Sequence, residues 1–299
     1  MEPDVVVVGS ANVDLVLPVQ RIPRPGETVL AGAMTRGPGG KGANQAAAAA
    51  RAGARTAMVA ALGHDDGGAL LRETLTEAGV DLSLVTTSGA PTGTAIITVE
   101  ASGENSIVVA PGANGELALS AAATQVIGAA KIVLAQLEIP LPTVQEAAAA
   151  GSYFILNAAP AAELPAGLLA EVDLLVVNES EAEAIAGPDR AALLKLVPAA
   201  VVTLGGAGAV ILTRDNDEIA VPGVPVEVVD TTAAGDTFCG VLAATLASAP
   251  DSGPITPRDL TNAVRRANVA ASLSVQTAGA IASVPHGDAI DARYAEVYL

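Results

Sequence analysis

The stretch VEVVDTTAAGDTFCGVLAATLA, residues 226–247, brings Asp236 to the start of an apolar, helix-patterned run through two threonines, two alanines and a glycine. Two chemistries suit a carboxylate there. As a plain helix start it complements the helix dipole and satisfies free N–H groups. As a reaction site, the small residues Ala233, Ala234 and Gly235 would leave backbone N–H groups open to an anion, with Asp236 beside them as a base. The stretch alone leaves both open.

Other segments carry comparable groups. GPGGKGANQA looks like a phosphate loop but fails as a Walker A motif: Thr35 stands where its first glycine belongs, and Gly42 follows Lys41 where Ser or Thr is needed. What remains is a glycine turn feeding a helix. Gly40 permits close approach to the backbone, and Asn44 offers a donor and an acceptor to a hydroxyl-rich molecule. In VVVVGSANVDLV a buried strand is followed by Asn12 and Asp14, with only Gly9 of a dinucleotide fingerprint present. Residues at the carboxyl end of a strand lie where open α/β sheets bind ligands, and an aspartate there can accept from vicinal sugar hydroxyls.

AQLEIP and VVNESEAEAIAG close apolar strands with Glu138, Asn178 and Glu181. Magnesium needs only one or two protein carboxylates, although Glu179, Glu181 and Glu183 also suit a solvated acidic helix start. In VVTLGGAGAVIL, Gly205, Gly206 and Gly208 would let a nucleotide lie against the backbone, or would simply turn a hairpin. His64 and His286 have no partner spacing and receive no role. Cys239 is the only cysteine, so no intrachain disulfide forms and a reducing compartment is expected. It reads as a small buried residue on the helix after Asp236.

Alternating elements position these groups. Buried strands are predicted at Val5–Val8, Ala57–Ala61, Ile132–Leu134, Phe154–Leu156, Leu174–Val177 and Val201–Leu204, and a further strand at Val226–Val229. Helices are predicted at Asn44–Ala52, Gly68–Ala78, Thr143–Ala150, Glu179–Ala186, Phe238–Leu246 and Asn262–Leu273. The alternation implies an α/β fold: one mostly parallel sheet covered by helices on both faces. Two stretches break the rhythm. LVLPVQRIPRPGETVLAGAMTRG has β-type residues and no helical period, and GTAIITVEASGENSIVVAPG reads as a hairpin turning at Ser102–Asn105. Together, residues 15–38 and 91–112 are expected to form a small β-sheet lid within a single domain spanning 1–299. A loop is expected at Ala247–Pro257.

Of the 299 residues 51% are hydrophobic but only 2% aromatic, so alanine, valine and leucine must carry the packing. The formal charge of −17 argues against a nucleic-acid backbone or an anionic membrane as partner. The start, MEPDVVVVGS, has no basic region before its apolar run, and no stretch looks like a membrane span. A soluble, cytoplasmic protein is expected.

In order, GSANVD, RPGET, GGKGANQA, QLE, NESEAE, TLGGAG and DTTAAGDTF resemble the ribokinase family, the PfkB-type carbohydrate kinases, over nearly the whole chain. GGKGAN and AAGDTF are its two signatures. GGKGANQA after PGET points within the family to ribose more than to fructose or adenosine. The resemblance implies ATP-dependent phosphorylation of D-ribose at its 5-hydroxyl, with Asp236 as general base and the Ala233–Ala234–Gly235 turn as anion hole. It implies sugar contacts from Asn12, Asp14, Gly40, Lys41, Asn44 and Glu138. Nucleotide contacts fall on Asn178, Thr203, Gly205, Gly208, Gly235 and Asn268, and a magnesium-side acid on Glu181. A potassium loop maps to Asp230, Thr232, Ser274, Thr277, Gly279 and Ser283, and a homodimer would form through the lid.

Alternatives are another sugar or nucleoside kinase of the family, acting on 2-deoxyribose, fructose or adenosine, or a catalytically silent sugar-binding protein on the same fold. An intact AAGD turn speaks against the silent protein. NAAPA stands where the family usually reads NPAPA, and the stretches before Tyr153 and around Gly187–Ala199 look shortened, so surface helices there are expected to be trimmed.

Overall fold

A computed structural model describes residues 2–102, 104–151, 153–214, 216–249 and 254–299. The chain opens with β1 (Val5–Val8), β2 (Asn12–Val19), β3 (Thr35–Gly39), α1 (Lys41–Arg51), β4 (Thr56–Gly63), α2 (Asp66–Glu77) and β5 (Val85–Ser88). It continues through β6 (Gly93–Glu100), β7 (Asn105–Ala110), α3 (Ala121–Ala129), β8 (Ile132–Ala135), α4 (Leu141–Ala149), β9 (Tyr153–Asn157) and α5 (Ala166–Leu169). Then follow β10 (Leu174–Asn178), α6 (Glu179–Ala186), β11 (Ala199–Thr203), β12 (Gly208–Thr213), β13 (Asn216–Pro222), α7 (Ala234–Ala247), α8 (Pro257–Ser274) and α9 (Gly287–Tyr298).

The large sheet has the order β13-β12-β11-β10-β9-β8-β1-β4-β5. From β5 to β11 neighbouring strands run parallel, and β12 and β13 add an antiparallel edge. The predicted α/β class is therefore correct. Alternate residues of β1 show how both faces are filled. Val5 and Val7 join a core with α1, α2, α7, α8 and α9, while Val6 and Val8 join one with α3, α4, α5 and α6. All four valines are fully buried, as central parallel strands require.

Scarce aromatics are offset by close helix approach. Ala43 and Ala46–Ala49 on α1 are all fully buried. A Cβ at Gly240 of α7 would run into the backbone oxygen of Gln45 and the side chain of Ala48. Gly240 thus lets α7 cross α1 at near-backbone contact, and that crossing carries Asn44 and Gln45 to Asp236.

A second, four-stranded sheet has the order β3-β2-β6-β7 and comes from the two segments that broke the helical rhythm. β2 pairs antiparallel with β3 and parallel with β6, and β6–β7 is the predicted hairpin. Residue 103, within the Ser102–Asn105 turn, lies outside the described residues, as do 250–253 within the Ala247–Pro257 loop and residue 152 before Tyr153. Between Gly187 and Ala199 the described element is one 3-10 segment, Arg190–Lys195.

One predicted strand does not form. Val226–Val229 is irregular, with Val228 and Val229 57% and 64% exposed. Pro222 and Pro225 remove backbone donors at the strand exit. The N–H groups of Val229 and Asp230 instead donate to the Val275 carbonyl beyond α8. α1 and α7 also begin earlier than predicted, at Lys41 and Ala234.

Candidate active site

The carboxyl ends of the parallel strands meet the first turns of α1, α6 and α7. β1 leads through Ser10 and Ala11 into Asn12 and Asp14 on β2, while β8 delivers Gln136 and Glu138, β9 ends at Asn157, β10 at Asn178 and β11 at Thr203. This is the edge of an open α/β sheet at which ligands bind.

Asp236, in the first turn of α7, is 7% exposed. Its Oδ2 accepts from Asn44 Nδ2 at 2.8 Å and its Oδ1 from Gln45 Nε2 at 2.9 Å. Burial pushes its pKa up, while the Lys41 ammonium and these two amides work in the opposite direction. α7 has no side-chain N-cap, and Ala233 at its N-cap has φ 57°, the one non-glycine residue with positive φ among the described residues. A Cβ at Gly235 would meet nothing within 4 Å, so this turn opens to a cavity instead of packing on protein. An uncapped helix N-terminus facing open space is suited to an anion.

Lys41 supplies charge next to it. Burial works to lower its pKa, but the carboxylates of Asp236, Glu138 and Glu181 outweigh that and hold the ammonium above its ordinary value. Glu138 accepts from Ser10 Oγ at 2.5 Å and from the Lys41 backbone N–H at 3.1 Å, fixing the start of α1 against the β1–β2 turn. Asp14 is pushed up to about 7 by burial, then by the charges of Glu138 and Asp236. A Cβ at Gly39 would occupy the space of the Asp14 carboxyl. Gly40, with φ 90°, lies against the backbone of Ala11 and Asn12. The missing side chains at Gly39 and Gly40 thus make room for neighbouring protein.

Asn12 Oδ1 accepts from Asn114 Nδ2 at 2.8 Å, and Asn114 also accepts the Ala11 N–H at 2.9 Å. Asn114 was missed from sequence, since its role exists only where the residues after β7 meet the β1–β2 turn.

A cavity of about 180 Å³ is lined by Lys41, Asn157, Asn178, Glu181 and residues 233–236, with Cys239 behind them. It shares Thr203, Thr231, Ala234 and Gly235 with a wider cavity of about 410 Å³ that reaches Gly205, Gly208, Phe238 and Asn268. Asn178 and Glu181 form a reciprocal capping box on α6, with both bonds at 2.8 Å. Gly208 has φ 103° and approaches the backbone at Val221–Gly223, so the hairpin itself requires it. Asn268 commits its Nδ2 to the carbonyls of Val221 and Pro222, each at 3.2 Å. Burial and the charge of Asp236 push the Cys239 thiol up, in keeping with an inert packing role.

Further along, Asp230 accepts the N–H groups of Thr232 and Gly279, each at 2.9 Å, and so ties 230–232 to the loop after α8. Burial opposes its charge, but these hydrogen bonds hold the carboxyl below its ordinary value. Ser274 and Ser283 are buried and donate to the carbonyls of Ala271 and Ala280, at 2.9 Å each. Thr277 donates its N–H to Ser274 O at 3.1 Å. No helix among the described residues is long and apolar enough to cross a membrane.

The family model described as pfkB family carbohydrate kinase matches residues 2–287. A bifunctional ribokinase/ribose-5-phosphate isomerase A of Fructilactobacillus sanfranciscensis is 40% identical over 96% of this chain, which spans 55% of that longer relative. A ribokinase of Staphylococcus aureus is 38% identical, covering 94% of this chain and 96% of the relative. A solved structure of Arabidopsis thaliana ribokinase complexed with ribose and ATP superposes with a TM-score of 0.87 at 33% identity, over 98% of this chain and 99% of that one. With that match, the chain belongs to the pfkB family of carbohydrate kinases.

Proposed function

We propose that this chain transfers the γ-phosphoryl group of ATP to the 5-hydroxyl of D-ribose. One observation carries the reading: a buried carboxylate, Asp236, held by two amides beside an uncapped helix N-terminus at the mouth of a cavity. The relatives named as ribokinases, one of them complexed with ribose and ATP, supply the substrate pair.

Asp236 takes the proton of the hydroxyl while its oxygen bonds to the γ-phosphorus. The bond from that phosphorus to the β–γ bridging oxygen breaks, and ADP leaves. A loose transition state puts the demand on positioning and charge more than on base strength. The N–H groups of Ala233 and Gly235, with Lys41, meet the charge on the transferred group, while the Ala234 N–H donates to the Thr231 carbonyl at 3.2 Å. Asn12, Asp14, Gly40, Asn44 and Glu138 frame the sugar. Asn44 Oδ1 is buried with no partner, which leaves an acceptor for a sugar hydroxyl. The adenosine side falls to the wider cavity, with Asn178, Thr203, Gly205, Gly208, Gly235 and Asn268 around it.

Glu181 suits magnesium, since its capping bond uses one carboxylate oxygen and leaves the other for a cation. Magnesium, when bound, neutralises phosphate charge. The loop tied by Asp230 suits potassium. Thr232, Ser274, Thr277, Gly279 and Ser283 would offer carbonyl and hydroxyl oxygens, and the two serine hydroxyls, acting as donors to the chain, keep lone pairs for a cation. We read the small sheet as a lid that excludes water over the sugar. Its exposed Ile96, Ile107, Val108 and Val109 suit a pairing of two lids in a homodimer.

Coupled ADP release with ATP and magnesium tests the reading across ribose, 2-deoxyribose, fructose and adenosine, with and without potassium. Turnover on ribose, raised by potassium, is expected. Turnover confined to another member overturns the sugar assignment, and silence on all of them from folded protein overturns the kinase.

A further inference from the structure

Gln45, Gln136 and Asn157 lie in three of the motifs singled out by sequence, and of these only Gln45 has so far a partner in the site, Asp236. Each is buried: Gln45 and Gln136 are fully inaccessible and Asn157 is 8% exposed. They form one chain of amides that ends on Asp236. Gln136 Nε2 donates to Gln45 Oε1 at 2.6 Å, and Gln45 Nε2 donates to Asn157 Oδ1 at 3.0 Å and to Asp236 Oδ1 at 2.9 Å. Asn157 Nδ2 in turn donates to the Val176 carbonyl at 3.2 Å, which fixes which end of its amide faces Gln45.

The direction of the chain is determined chemically. An ionised carboxylate only accepts, so Gln45 must turn its N–H groups to Asp236, and its oxygen then needs a donor. Gln136 is that donor, and its own Oε1 is left buried without a partner against Gly9. A buried oxygen left unpaired costs stability. The arrangement is understandable if the orientation of Gln45 matters more than the comfort of Gln136.

We propose that Gln45 is a positioning residue for phosphoryl transfer, held in one orientation by Gln136 and Asn157 so that it fixes the Asp236 carboxylate in the rotamer that accepts the sugar proton. The proposal rests on Asp236 being the base. The charged and titratable groups around Asp236 are Lys41 from α1, Glu138 after β8, Asp14 from β2, Glu181 from α6 and Cys239 from its own helix. Among the described residues none of them donates a hydrogen bond to Oδ1, which Gln45 alone supplies. Asn44 serves Oδ2 alone, so without Gln45 the carboxylate can turn about its Cα–Cβ bond.

The test is the pH profile of ADP release for Gln45→Met and Gln136→Met beside the unaltered protein and Asp236→Asn. Gln45→Met keeps the volume and removes the donor. Its kcat is expected to fall roughly 10- to 100-fold, the range for a hydrogen bond to a charged group, with the sugar KM nearly unchanged. The acid limb of its kcat profile is expected to move up by about one pH unit, because a carboxylate that loses a donor protonates more readily. Gln136→Met, which leaves the direct contact in place, is expected to move both readouts the same way by less, and stands alone if Gln45→Met does not fold. A purely structural role would lower the melting temperature and leave the acid limb of both variants where it was, and that result overturns the proposal. An inactive Asp236→Asn with unmoved glutamine variants removes the positioning role alone, whereas an active Asp236→Asn removes the base on which it rests.

Discussion

Asp236 and Asp14 are both largely buried carboxylates at the same sheet edge, yet they are treated in opposite ways. Asp236 has an amide on each oxygen and the Lys41 ammonium nearby. Among the described residues none donates a hydrogen bond to Asp14, which faces the charges of Glu138 and Asp236 and is pushed up to about 7. The protein completes the first carboxylate by itself and leaves the second incomplete. On the proposed function, a ligand rich in hydroxyls would supply the missing donors to Asp14, which sets Asp236 for chemistry and Asp14 for recognition.

Four changes probe that contrast. Asp236→Asn keeps the shape and removes the proton acceptor; turnover is expected to fall by about 10³-fold, within the range for general base catalysis, in steady-state ADP release. Asp14→Asn should weaken ribose by roughly 10- to 100-fold in calorimetric titration, as loss of hydrogen bonds to a charged group does. It should also stabilise the sugar-free protein. Because the folded value of Asp14 lies above the ordinary 3.8, its contribution to stability is complete below that value and is lost as pH rises through about 7. At pH 8 the unaltered protein therefore carries a penalty, about 1–2 kcal/mol after allowing for solvent at the cavity, that Asp14→Asn lacks. Melts at pH 5 and pH 8 should show a larger advantage of the variant at the higher pH, because the penalty builds from the ordinary 3.8 up to about 7, and ribose should bind the unaltered protein more tightly as pH rises through 7.

Gly240→Ala would push α7 off α1, costing about 1–3 kcal/mol as overpacking does and lowering kcat by separating Asp236 from its amides. Denaturant unfolding and turnover on one preparation measure both. The smallest effect is expected from Ala233→Gly, which relieves a left-handed alanine and should raise stability by up to about 1 kcal/mol, read as an increase in melting temperature. A loss of stability there would mean that the φ of 57° carries no strain.

The sequence made the parts of this site legible to different degrees. Strand ends and helix starts were readable because Asn12, Asp14, Glu138, Asn178 and Asp236 each follow a short apolar run or open a helical one. The capping box of α6 was half visible as an acidic helix start, since N-x-x-E is a local pattern that a single turn can satisfy. Gln45, Gln136 and Asn114 were invisible as partners. Their bonds span separations from 91 to 191 residues, and no local rule encodes which amides will meet. The glycines were legible as turns but not as contacts: Gly39, Gly40 and Gly208 have protein backbone or Asp14 against them, whereas Gly205, Gly206 and Gly235 face open space. The false strand at Val226–Val229 came from counting valines without charging the prolines on either side of Val224.

The most direct measurement is to follow ribose binding by calorimetry and turnover by ADP release in Asp236→Asn and Asp14→Asn, on the same preparations. A crossed result is expected, with Asp236→Asn binding ribose within a few-fold of the unaltered protein while turning over about 10³ times more slowly, and Asp14→Asn losing ribose affinity while keeping most of its turnover at saturating sugar. If both variants lose binding and turnover in equal proportion, the two carboxylates share one role and the division between them is wrong.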